Sequence, residues 1–343
     1  MRPVRIIVVS TSALVMVAGV AGTSLATKPG PGTSTGSGRV FFPNPVASLQ
    51  DQTLTDQRDA DYPALQDAYV LVTLTDLDGS GYLRGAWANI SSSTGPAAYS
   101  PTNAFLYDRS DDRFEQVMAY YWVTEAQKYI QGLGFGSTLR PVNMESQDLQ
   151  IDQWGLDNSY SWDKHDVLRF GKGGVDDAED AEVILHEYGH AIQDSQMTPF
   201  GGFGTSAEAG AIGEGFGDYW AVTVSDAIAP TPDPACVADW DSVSYTSTEP
   251  HCLRRVDGDL MYPDDLNGRV HHDGQIWSRA LWDIRNALGH VKADTVILEA
   301  QFAFAPDTSM PAAAQATVDA AQWLYGMPEV KFVREAFEAR GIL

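Results

Sequence analysis

The stretch DDAEDAEVILHEYGHAIQD, residues 176–194, reads as one helix and divides the chain into unlike halves. Four acids in its first turns suit the positive end of a helix macrodipole. Strand patterns dominate before it. AYVLVTLTDLDGSGYLRGAWANI reads as strand, tight turn, strand, and NSYSWDKHDVLRFG as a further strand. One segment there, RFEQVMAYYWVTEAQKYIQGLGFG, has helical periodicity and ends on glycines. After position 274 the pattern is mostly helical: GQIWSRALWDIRNAL, ADTVILEAQFAFA, PAAAQATVDAAQWLYG and PEVKFVREAFEARGI. No internal repeat is visible. The expectation is an α+β chain of two unlike lobes with the helix at the cleft between them. A β-rich N-terminal lobe spans 40–195 and carries that helix, and a mostly helical lobe spans 196–343.

The start of the chain points to export. MRPVR carries two arginines, an apolar run follows, and Ser24 to Ala26 offer small residues for a peptidase. Residues 1–26 are read as a secretory signal, with a retained anchor as the rival because the apolar run is near the lower limit for a span. Losing Arg2 and Arg5 removes two positive charges and takes the formal net charge from −24 to −26. So acidic a chain repels phosphate backbones and anionic membrane surfaces. Nucleic acid is therefore excluded as a partner, and no stable membrane association is expected after signal cleavage. Residues 27–39, rich in Gly, Ser and Pro, read as a flexible linker. In a secreted chain Cys236 and Cys252 default to one disulfide.

Aspartate far outnumbers glutamate. The groups at Asp59 and Asp61, at Asp176, Asp177 and Asp180, and at Asp264 and Asp265 are candidate calcium ligands, against a plain solvated acidic surface. The DLDGSG turn resembles the start of a calcium loop. An EF-hand needs Glu eleven residues after Asp76, and Trp87 stands there, so a hairpin turn is the better reading.

The chemistry is concentrated around His186, Glu187 and His190, an H-E-x-x-H arrangement. Helical residues four apart share a face, so His186 and His190 can bind one metal ion. Glu187 can then reach a metal-bound water without ligating. Catalytic zinc takes a third protein ligand and keeps a fourth position open. Gln193 and Gln196 occupy the Gly and His positions of a metzincin, which excludes that class. Downstream, GAIGEGFGDYWA places Glu214 and Asp218 four apart on a second helix. Glu214 can ligate, and Asp218 can accept the outer N–H of a ligating histidine. In NGRVHHDGQIWSRALWDIR a histidine can stabilise an oxyanion. Helical neighbours point about 100° apart, so only one of His271 and His272 can face the metal. His165, His251 and His290 are expected to be surface or capping residues.

H-E-x-x-H, then E-x-x-x-D, then N-G-x-V-H, in that order, resembles the thermolysin-type zinc endopeptidases. HEYGHA, GEGFGDYW and HHDGQIWSRALWDIR look most like the fungalysin branch, and the likeness runs from VFFPNPV (40–46) to AFEARGI. The resemblance implies a two-lobed thermolysin-like fold, protein or peptide substrates, and a secreted, extracellular, monomeric enzyme. It implies zinc on His186, His190 and Glu214, Glu187 as general base, and Asp218 behind a ligand. It also implies His271 as the transition-state histidine, Arg254 (with Arg255 as rival) on the substrate carbonyl, and Asn158 on the substrate backbone. Two departures stand out. Thermolysin has a tyrosine between the second histidine and the glutamate, where this chain has Phe200 and Phe203 and no tyrosine. Fungalysins usually carry a long propeptide, and only about forty residues precede the region of likeness here. Two other functions are weighed against the endopeptidase. An aminopeptidase of the same superfamily would need a G-x-M-E-N-type segment, which is not found. A silent calcium-binding scaffold would have no use for Glu187.

Overall fold

The computed structural model describes residues 34–92, 94–196 and 203–343. The expected signal segment and the first half of the expected linker lie outside the described residues. The N-terminal half holds β1 (Ser34–Phe41), α1 (Pro45–Leu49), β2 (Tyr69–Leu77), β3 (Ala88–Ile90), β4 (Ala104–Phe105) and α2 (Phe114–Gly132). It continues with β5 (Gln147–Gln150), β6 (Tyr160–Trp162), β7 (Val167–Arg169) and α3 (Ala181–Gln196). The C-terminal half holds α4 (Ala207–Ile228), β8 (Cys236–Val237), β9 (Arg254–Arg255), α5 (Val270–Leu288), α6 (His290–Gln301), α7 (Met310–Leu324) and α8 (Met327–Glu338). Strands before α3 and helices after it reproduce the α+β, two-lobed expectation.

Three local expectations are corrected and a fourth is narrowed. The linker expected over 27–39 does not extend past 33: residues 34–39 open β1, the central strand of the sheet β2-β1-β4. Its glycines serve contact rather than flexibility. A Cβ on Gly38 would lie 2.7 Å from Val117 Cγ1, and one on Gly36 2.4 Å from the Asn103 carbonyl oxygen. The expected hairpin around DLDGSG forms but is short: Leu77 pairs antiparallel with Gly85, and the amides of Asp78 and Ala86 donate to the carbonyls of Arg84 and Asp76 at 2.9 and 3.0 Å. The chain turns with Gly79 and Gly81 at φ of +81° and +84°. However, β2 pairs with β1, while β3 joins a second sheet in the order β3-β5-β7-β6. NSYSWDKHDVLRFG makes two short antiparallel strands, β6 and β7, instead of one. Finally, α3 begins at Ala181, later than the acidic run suggested. The Asp180 carboxylate accepts from the Glu182 amide at 2.9 Å and so caps the helix. It also accepts from the amides of Trp240 (3.1 Å) and Asp241 (3.2 Å), which ties that loop to the helix start.

α3 is sunk between α2 and α4. Ile184, Leu185, Tyr188 and Ile192 are fully buried in it, each worth roughly 1.5–3 kcal/mol of transfer free energy. α4 starts at Ser206, whose hydroxyl accepts from the Ala209 amide at 3.1 Å. The entry to α5 is held by Asp273, which reaches back to accept the amides of Asn267 and Gly268, both at 2.9 Å. Cys236 and Cys252 are joined, as expected, and their bridge brings β8 beside β9. No helix among the described residues is long and apolar enough to cross a membrane.

Candidate active site

α3, α4 and α5 converge on one point. α3 brings His186 and His190, with ring centroids 4.9 Å apart, and α4 brings Glu214. One donor atom from each of these three residues lies within 4.8 Å of the other two. His186 Nε2 is 3.3 Å from Glu214 Oε2, and His190 Nε2 is 3.9 Å from Glu214 Oε1. Glu214 Oε2 is buried yet makes no aligned hydrogen bond. Lone pairs that converge on a common centre, instead of on one another, fit a metal ion. Two imidazoles and one carboxylate are a donor set that suits zinc.

The close approach of the helices depends on glycine. Gly217 on α4 faces the His186 ring, and a Cβ there would come within 2.8 Å of Nδ1 and Cε1. Gly189 on α3 faces the Gly217 Cα at 3.2 Å by the same measure. The sequence reading gave neither residue a role.

Asp218, one turn beyond Glu214 and almost fully buried, lies 3.0 Å from His186 Nδ1. That contact puts the ring proton on Nδ1 and leaves the Nε2 lone pair for a metal. Asp218 also accepts two bonds from Arg254, Nε to Oδ2 and Nη2 to Oδ1, both 2.7 Å. Despite its burial, the pull of Arg254 and His186 holds the Asp218 carboxyl well below the usual range. Burial works against charge on Glu214 too, but the neighbouring histidines outweigh it and bring its pKa down to about 2. Burial alone would keep His186 neutral. Asp218 and Glu214 outweigh it and lift its pKa to about 10, so a cation bound there displaces a proton.

Glu187 lies beside this centre, 7% exposed, with its Oε2 buried and unpartnered. Burial, reinforced by Glu214 and Asp177 and opposed by His186, raises its pKa to about 7. α5 sends the two histidines to different partners. His271 Nε2 sits 3.2 Å from Glu214 Oε2, whereas His272 Nδ1 turns to Asp273 at 3.0 Å. Arg254 and Arg255 separate likewise. Arg255 pairs with Asp257 (2.7 Å) and Asp233 (2.8 Å), away from the centre. Asn158 is exposed just before β6, the edge strand of its sheet, and lines the cleft. His251 is spent on the backbone of Gln52, and His165 packs on Trp162. Phe203 packs on Phe304; Phe200 lies outside the described residues.

Two adjoining cavities, of about 210 and 580 Å³, share His186, Glu187, His271, Asn158 and Ser159 as lining residues. Together they form a cleft that passes the candidate metal donors.

Comparison with known proteins gives the same picture. Residues 99–342 match the family model described as fungalysin metallopeptidase. Among solved structures, the chain is similar to the precursor of protealysin, a metalloproteinase from Serratia proteamaculans. That match has a TM-score of 0.53 at 19% identity and covers 66% of this chain and 78% of that one. At such identity it speaks for the fold. No curated protein matches the sequence.

Proposed function

The chain belongs to the fungalysin metallopeptidase family, and from that premise we propose that His186, His190 and Glu214 hold its zinc and that Glu187 is the general base. It is a zinc metalloendopeptidase and acts on protein or peptide substrates. The observation that carries the residue assignment is the convergence of three donors from two helices on one point, with Glu214 Oε2 left orphaned. Bound zinc supplies a Lewis acid that polarises the scissile carbonyl and makes water acidic enough to attack.

The chain's own residues do the rest. Glu187 takes the proton of the attacking water on an oxygen with no competing partner, then returns it to the leaving amine. His271 donates to the oxygen that gains charge in the transition state. Asp218 fixes the His186 tautomer and, through the same carboxylate, orients Arg254 toward the substrate carbonyl. Asn158, beside the edge strand β6, holds the substrate backbone as an added strand. We further propose that the chain is secreted and loses residues 1–26; its disulfide supports an oxidising destination.

Calcium enters the same reading at a second place. Glu115 is fully buried with both carboxylate oxygens unpartnered. Beside it Asp152 and Asp176 also bury orphaned oxygens. Hard oxygen donors held in the interior without partners suit a calcium ion. Of the other candidate acids, Asp180 is spent on backbone amides and Asp61 on the side chains of Gln66 and Tyr69.

Glu187→Gln tests the mechanism. The purified wild type should hold about one zinc, cleave casein, and lose activity when 1,10-phenanthroline strips the metal. Glu187→Gln should fold and keep its zinc, yet lose at least ~10²–10⁴-fold in turnover. Wild-type turnover in that variant refutes the assignment.

A further inference from the structure

The smaller cavity has a floor that the reaction does not use. It opens at Glu187, His186, His271 and Arg254 and runs between the apolar side chains of Val183, Val237 and Leu253. Asp177 and Asp241 line it as well. Carboxylate oxygens of Asp157, Asp177 and Asp241 lie within 4.8 Å of one another. Asp177 and Asp241 are 2% and 3% exposed, and Oδ1 of each is buried without a hydrogen-bond partner. The Ser159 hydroxyl donates to the other oxygen of Asp177, and the Tyr245 hydroxyl donates to Asp157.

No lysine, arginine or histidine among the described residues makes an ion pair with any of the three acids. The one cationic side chain with them in the cavity wall besides the histidines is Arg254, and its guanidinium is committed to Asp218. Buried carboxylates this close to one another are costly unless a cation joins them. With none present, burial and mutual repulsion raise both Asp177, to about 7, and Asp241.

The cavity's position narrows the identity of that cation. It opens beside the general base, so a side chain flanking the scissile bond is what can enter it. Apolar walls suit a methylene stem, and an acidic floor suits the charged head at its end. An ammonium brings three donors and a guanidinium five. A calcium ion would need six to eight oxygens, and two of these carboxylates already spend an oxygen on the hydroxyls of Ser159 and Tyr245. Building on the metallopeptidase reading above, we propose that this cavity is the pocket for the residue flanking the scissile bond, and that Asp177 and Asp241, with Asp157 beside them, select lysine or arginine there.

The test uses the zinc-loaded enzyme on a proteome-derived peptide library, with cleaved bonds identified by mass spectrometry. Lysine and arginine should be enriched at one fixed position next to the cleaved bond. A matched pair of peptides, with lysine or norleucine at that position, should then differ on the order of 10²-fold in kcat/KM, as expected for a buried charge pair. Asp241→Asn and Asp177→Asn keep the shape and remove the charge, so each should collapse this ratio by about 10-fold or more. Cleavage with no basic preference overturns the pocket assignment alone. So does release of N-terminal residues whatever their side chain, which would give the acids to a free amine. So does a tightly bound calcium ion that Asp241→Asn removes while the cleavage pattern stays unchanged. If no peptide is cut at all, the peptidase reading fails and takes this proposal with it.

Discussion

Gly217→Ala tests whether the zinc site depends on how closely α4 approaches α3. The new methyl would stand 2.8 Å from His186 Nδ1 and Cε1 and 3.0 Å from Nε2. Comfortable contacts lie at about 3.5–4.0 Å, so the ring or the helix must give by roughly 0.5–1 Å. Two effects on stability oppose each other. Overpacking costs about 1–3 kcal/mol, while replacing a mid-helix glycine by alanine returns up to about 1 kcal/mol. The net is a loss of roughly 0–2 kcal/mol, a fall of a few degrees in melting temperature that leaves the protein folded. Metal binding has no such compensation. Ligand distances tolerate only about ±0.2 Å, and the shift also disturbs the contact from Asp218 to His186. Losing a supporting contact alone costs about 10–100-fold in metal affinity, and moving the ligand should reach or exceed the upper end. Gly213→Ala is the control, because its Cβ would meet nothing nearer than 3.5 Å. Zinc affinity is read by competition with a chromogenic chelator, and folding by circular dichroism. A folded Gly217→Ala protein with wild-type zinc affinity refutes the reasoning.

His271→Ala should lower turnover by ~10²–10³-fold with little change in KM, while His272→Ala should be nearly silent; steady-state kinetics on one peptide decides, and the reverse order would show that the wrong histidine was assigned. Replacing Cys236 and Cys252 together by serine should cost about 3 kcal/mol, the chain-entropy value for a loop of this length, measured by urea unfolding; an unchanged midpoint would argue against the bridge as a staple. Calcium should raise the melting temperature of the wild type, and Glu115→Gln or Asp176→Asn should shrink that rise; an equal rise in the variants would place the ion elsewhere.

What was legible in the sequence was short-range. His186 and His190, and Glu214 and Asp218, are each four apart on one helix, so the helical repeat alone puts each pair on one face. Of the adjacent histidines, His271 reaches Glu214, while α5 turns His272 onto Asp273. The errors arose where a residue type serves two purposes. Gly36 and Gly38 resemble linker residues, but they let β1 run close to Asn103 and Val117. The acids at 176–180 resemble a charged first helical turn. They are instead a short turn whose members go separate ways, Asp176 toward Glu115, Asp177 to the cleft and Asp180 onto the helix cap.

The acidic floor of the cleft shows why such long-range features escape a reading by spacing. Asp157, Asp177 and Asp241 come from the loop before β6, the turn before α3 and the loop after β8, and no periodicity relates them. They meet because Asp180 caps α3 with one oxygen and holds the amide of Asp241 with the other. One capping carboxylate thus fixes where the catalytic helix starts and also brings a distant loop over it. Under the proposed reading, the Asp180 contacts link the acids of the cavity to the helix that carries Glu187, and substitutions at Asp180 should disturb both.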